Sequence, residues 1–225
     1  MFVAHYAPAL ALKAFKKSPS LAAGFVAVQL IDIGFFSLSY FGIEKWAANP
    51  ALKGFMPVDL YYMPYTHSLL GASCWALAAA VLTALVVPSG RKVVGAVIIG
   101  LLVLSHWGLD LVVHRHDLAL VSDAEQKLGF GLWDQPLIVI PLELGLLLVG
   151  FSIYMSVTQA RGVMGRVMPW ILLSVLFLVQ GINWFTPPAS DSAVFSGLGL
   201  AVYFTLVGLA WLVERWRCPA PKPVV

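Results

Sequence analysis

The chain alternates long apolar stretches with short polar connections. The runs cover 19–24 (extended through Asp32 to Tyr40), 68–87, 93–113, 136–157, 168–185 and 194–213. Each is near the roughly 20 residues that cross a bilayer as a helix. None alternates with a two-residue period, and an open strand cannot satisfy its backbone groups in lipid. The pattern therefore predicts an all-α, polytopic membrane bundle of six transmembrane helices. The opening stretch "MFVAHYAPALALKAFKK" adds an N-terminal membrane-inserted helix. Residues 1–217 form one domain in this reading, and 218–225, "CPAPKPVV", a short disordered cytoplasmic tail.

Composition agrees: 60% of the 225 residues are hydrophobic and 11% charged, far from the mix of a soluble domain. In the opening stretch the positive charges follow the apolar part, the reverse of a secretory signal, so it is expected to be retained. Cys74 and Cys218 lie far apart with no CxxC spacing, which gives neither a disulfide framework nor a zinc ribbon. The net charge of +3 is small and no basic tract is interleaved with aromatics, which argues against a nucleic-acid partner.

Charge placement also orients the chain. Lys13, Lys16 and Lys17, then Arg91 and Lys92, then Arg161 and Arg166, then Arg215, Arg217 and Lys222 mark alternate connections. The positive-inside rule makes these ends cytoplasmic and puts loops 43–65, 114–135 and 186–193 outside. Trp46, Tyr61, Tyr62, Tyr65, Trp133 and Trp184 cluster at the outer interface. The expected location is a bacterial inner membrane, with the C-terminus in the cytoplasm.

This frame gives depths to the polar residues inside the spans. A helix ending at Lys16 and Lys17 lifts His5 about 18 Å into the membrane, and Asp32, fourteen residues after Ser18, climbs about 20 Å. His106 and Asp110 lie about 21 and 27 Å above Lys92. His67 opens the second span from outside, with Pro64 at the helix start and Thr66 as its cap. Glu143, Gln180 and Asn183 fall in the outer halves of their spans. A charged group near the bilayer centre costs about 3 kcal/mol on insertion scales, so such groups are normally paired, metal-bound or functional.

Within "SHWGLDLVVHRHD", His106, Asp110 and His114 recur at four-residue steps and share one helical stripe, with Asp117 continuing it. Imidazole and carboxylate one turn apart can grip one metal, or can simply hydrogen-bond each other. His5, Asp32 and His67 in the same zone favour a site. Glu143 is open between a general base, a partner of the ligands, a proton relay and a structural hydrogen bond to Gln180 or Asn183. Arg115 and His116 belong at the outer mouth, where solvation or headgroup binding would suit them.

A histidine near the N-terminus, an aspartate 27 residues on, "THS" opening a span and "SHWGLD" later resemble, in that order, the bacterial inner-membrane metal-dependent hydrolase family known as the YdjM-like or LexA-binding group. The likeness covers the first 120 residues or so and implies His5, Asp32, His67, His106 and Asp110 as metal ligands. "QLIDIGF" carries one carboxylate where the family has Pro-Asp-x-Asp-His, and "YMPY" stands where it has His-Arg-Gly, which marks a divergent branch. His114 extends the set from the residues themselves.

Two functions follow. In the first, His5, Asp32, His67, His106, Asp110 and His114 hold a divalent metal, Zn²⁺ by preference, with Fe²⁺ or Mn²⁺ accepting the same donors. An open coordination position would bring bound water to a pKa of about 7 for hydrolysis, with Glu143 as base. Depth in the outer half of the bilayer favours a lipid or lipid-linked ester or phosphoester that enters sideways between helices. In the second, the cluster serves a non-catalytic metal- or cofactor-binding accessory subunit of a larger complex, or a small carrier. Gly145, Gly150, Gly197 and Gly199 are expected to allow close helix approach, the first four spans to surround the site, and the last two to buttress it.

Overall fold

The computed structural model describes residues 1–15, 17–52, 54, 56–122 and 126–220. It is mostly helical, and five helices are long and apolar enough to cross a membrane: α4 (Leu69–Val86), α5 (Lys92–Val113, preceded by a single tight turn), α6 (Pro136–Val157), α7 (Gly162–Phe185) and α8 (Ser192–Arg215). The expected first span is two helices, α2 (Leu21–Val28) and α3 (Leu30–Tyr40), bent by 55° at Gln29. Ser20 caps α2 by accepting the Ala23 N–H, and at the break the buried Gln29 amide donates to the Phe2 carbonyl at 3.4 Å. A broken helix deep in an apolar layer is stable only where protein groups take up the freed polarity.

The N-terminal helix α1 (Tyr6–Ala11), with a tight turn on either side of it, is buried against α6, α2 and α5. Its small residues make this possible. A Cβ added at Gly150 of α6 would sit 2.7 Å from the Ala7 Cα, and one at Gly24 of α2 would sit 3.2 Å from the Ala9 Cβ. Of the four glycines singled out above, Gly150 packs against backbone and Gly199 against the Phe36 ring, whereas a Cβ at Gly145 or Gly197 would meet nothing within 4 Å among the described residues. The α4–α5 hairpin lies at one side, and α4 is largely exposed on its outer face, as a lipid-facing helix should be.

Two short antiparallel ribbons, which the hydropathy pattern does not announce, close the ends. Strands β1 (Lys45–Ala48) and β2 (Val58–Tyr62) pair in the loop after α3. Strands β3 (Thr158–Ala160) and β4 (Arg217–Pro219) tie the end of α6 to the end of α8. Arg217 is buried there and donates to the Thr158 hydroxyl, the Thr158 carbonyl and the Gly165 carbonyl. The expected tail thus enters the structure with Cys218 and Pro219 paired, and residues 221–225 lie outside the described ones. At the same end Lys13 donates to Glu214 at 2.7 Å, and Glu214 also accepts the Leu21 N–H at 2.8 Å, fixing the turn between α1 and α2 against α8.

Candidate metal centre

Asp110, near the end of α5, is buried at the centre of a ring of imidazoles. His106 Nε2 lies 3.1 Å and His67 Nε2 3.7 Å from its Oδ2; His5 Nε2 lies 3.1 Å and His114 Nε2 3.6 Å from its Oδ1. Asp32, on α3 just past the break, adds its Oδ1 at 3.3 Å from His67 Nε2 and 3.5 Å from His106 Nε2. Three overlapping triads each bring one donor atom per residue within 4.8 Å of the others: His5, His106 and Asp110; Asp32, His67 and His106; His67, Asp110 and His114. All six expected ligands are therefore in one cluster, and five of the six are buried.

The four-residue steps of α5 explain the shared stripe of His106, Asp110 and the helix-capping His114. His67 arrives differently from expectation: α4 starts at Leu69 with Ser68 as its cap, so His67 precedes the helix. Thr66 is freed from capping and turns to Glu44, a buried carboxylate in the loop after α3. Glu44 accepts the Thr66 hydroxyl at 2.6 Å and the Tyr65 and Thr66 N–H groups at 2.8 and 2.9 Å. Burial raises the Glu44 carboxyl above its ordinary pKa, opposed by the Thr66 hydrogen bond and the nearby His67.

The far side of each ring fixes which nitrogen faces the cluster. The Thr66 hydroxyl proton is committed to Glu44, so at 2.9 Å its oxygen accepts from His67 Nδ1–H. The Val28 carbonyl at the break of the first span only accepts, and it takes His106 Nδ1–H at 2.7 Å. The Asp117 carboxylate takes His114 Nδ1–H at 2.8 Å. In their neutral forms these three rings all present an Nε2 lone pair to Asp110 and Asp32. Lone pairs facing carboxylates are acceptors facing acceptors, an arrangement that a cation among them relieves. The donor set, imidazole nitrogens and carboxylate oxygens with their outer nitrogens anchored, fits a divalent metal ion. Among the described residues His106 Nε2 has no well-aligned hydrogen-bond partner, in keeping with a lone pair held for such an ion. His5 differs: its ring stacks on His106 at 3.8 Å, its Nδ1 has no hydrogen-bond partner among the described residues, and its polar contact is to Asp110.

Glu143, buried on α6, is in none of the triads. It lines the same cavity of about 100 Å³ as Met1, Asp32, His67, Asp110 and His114, and its Oε2 accepts the Phe2 N–H at 3.0 Å. Gln180 accepts the Val3 N–H at 3.2 Å, so α6 and α7 hold the N-terminal turn over the cluster, where the Met1 amino group lies 2.6 Å from Asp110 Oδ1. Of the two mouth residues, Arg115 is committed to Asp134 at 2.7 Å and to the Met56 carbonyl at 3.1 Å, and His116 is exposed.

The hydropathy reading missed Glu44, Val28 and Tyr203. Tyr203 corrects the expectation that the last span only buttresses the site, since its hydroxyl donates to Asp32 Oδ2 at 2.6 Å from the middle of α8. A phenol in an apolar span needs such a partner, and this was the available signal. No family model matches the chain, and neither does any curated protein or solved structure.

Proposed function

We propose that the protein is a membrane-embedded metal-dependent hydrolase of a lipid or lipid-linked ester or phosphoester, a divergent relative of the hydrolase group its motifs resemble. In this reading α2 and α3 form one broken span, giving six in a bacterial inner membrane, with the basic end and the C-terminus cytoplasmic and the cluster in the outer half of the bilayer. One observation carries the proposal: three histidines anchored through Nδ1, with Nε2 turned to the buried Asp110 and the half-buried Asp32.

Zn²⁺ is the preferred ion for this donor set, and when bound it would polarise an ester or phosphoryl oxygen and activate water. Asp32, His67, His106, Asp110 and His114, with His5 from α1, are the donors among which the ion would find its ligands, one overlapping triad at a time, with a position left for water. Asp117, Val28 and the Thr66–Glu44 pair keep the rings in the tautomer that binds. Glu143, beside the same cavity, is positioned to accept a proton from water or return one to a leaving group.

A second reading, a metal-holding accessory subunit without turnover, is favoured by the small size of the cavity, about 100 Å³, at the cluster. Purified, metal-loaded protein assayed against p-nitrophenyl esters, phosphatidic acid and phosphatidylglycerol separates the two. Turnover that is lost in Asp110→Asn and falls steeply in Glu143→Gln supports the hydrolase. Stoichiometric metal with no turnover on any of them, and copurification with a larger complex, supports the accessory subunit.

A further inference from the structure

A second and larger hollow, about 370 Å³, lies between α7 and α8. That is the size of a small-molecule site, several times the space at the cluster. Val179, Ile182, Leu198 and Val202 form its walls, and Pro187 and Pro188 of the α7–α8 connection form its mouth. Ile182 and Leu198 are 54% and 60% exposed, so the hollow is open along the outer faces of α7 and α8, while Met56 and Pro57 of the β1–β2 loop, Val58 of β2 and residues 186–189 line its loop end.

Its inner end adjoins the cavity at the cluster. Phe2, Phe36, Asn183 and Tyr203 line both this hollow and the cavity at Asp110. Tyr203 also holds Asp32 through its hydroxyl, so one side chain borders the apolar space and touches a candidate ligand. Gly199 lines the hollow where a Cβ would come 3.0 Å from the Phe36 ring. Any side chain there would push Phe36 or fill the passage.

We propose that this hollow seats one acyl chain of a membrane lipid, with the polar ester or phosphoester end of that lipid directed past Phe36 and Tyr203 to the histidine–aspartate cluster. The walls are apolar, which suits a hydrocarbon chain and penalises a headgroup, since polar groups buried without partners are costly. Of the polar side chains in its lining, Asn183 and Tyr203 also border the cavity at the cluster, and Thr186 stands at the loop end. The choice of polar end rests on the hydrolase reading; the seat for the chain rests on the hollow itself.

The test is photolabelling of the full chain in phosphatidylcholine–phosphatidylglycerol nanodiscs with palmitate bearing a diazirine near its methyl end, mapped by peptide mass spectrometry. Label several-fold denser on 179–189 and 195–203 than on α4, which faces lipid and serves as the bulk control, is the expected result. Leu198→Trp, on the lipid-facing wall and away from the core, is expected to remove most of that excess, as is Gly199→Leu. Asp110→Asn should leave it intact. Label no denser than on α4, or an excess indifferent to Leu198→Trp in protein of unchanged helical content, overturns the proposal. An excess of label in a protein without metal or turnover refutes the hydrolase and leaves the chain seat standing, while turnover without the excess refutes the seat alone.

Discussion

In a metal centre of this kind, side chains would act through their outer contacts as much as through their inner ones. Removing an outer partner of a metal-binding histidine typically costs 10- to 100-fold in affinity. Thr66→Val breaks the link from Glu44 to His67 while keeping nearly the same volume, so Zn²⁺ affinity, read by competition with a chromogenic chelator, is expected to fall by about 10- to 100-fold with helical content unchanged. His116→Ala removes an exposed ring outside the cluster and should leave affinity as it is; equal losses in the two variants would refute the role given to Thr66. His106, Asp110 and His114 were legible because helical spacing alone puts them on one stripe. Glu44 was not, because its separation of 21 positions from Tyr65 leaves the return of that loop to the packing of a ribbon that the sequence pattern does not signal.

At the level of elements, the N-terminal helix is the piece whose placement decides whether His5 joins the other donors. It can lie against α6 because Gly150 has no side chain. Gly150→Leu is expected to displace α1, lower thermal stability in detergent by an amount of the order of 1–3 kcal/mol, and weaken metal retention together with it. Gly197→Leu, facing open space, should change neither. Unaltered stability and metal content in Gly150→Leu would mean that α1 does not pack as described. Helical rise from the turn at Ser18 already puts His5 and Asp32 at one level. A straight first span is what a hydropathy run implies, and it has no mark for the 55° bend at Gln29, where His106 donates to the Val28 carbonyl and the Gln29 side-chain amide donates to the Phe2 carbonyl. The helix start at His67 was likewise displaced by two residues because Ser68, not Thr66, proved the better cap once Glu44 had claimed Thr66.

For the whole molecule, apolar run length was enough to give a multi-pass helical bundle, because backbone satisfaction in lipid leaves no other choice for such runs. Its orientation is a separate matter, and Cys218 offers a handle on it. The residue is partly exposed in β4 at the basic end, while Cys74 faces outward from the apolar α4. With Cys74→Ser as background, a membrane-impermeant maleimide is expected to label Cys218 in inverted vesicles and not in intact spheroplasts. The opposite pattern would turn the bundle over and bring the cluster near the cytoplasmic face.

Metal content tests the centre itself most directly. Protein purified in detergent without chelator, resupplied with Zn²⁺ and freed of excess, is measured by elemental mass spectrometry beside the His106→Ala/Asp110→Asn double variant, with helical content checked by circular dichroism. Near-stoichiometric divalent metal in the wild type, lost in the double variant at unchanged helical content, is the predicted result. Folded wild-type protein that takes up no metal, or a double variant that keeps it, would contradict a metal centre at Asp110.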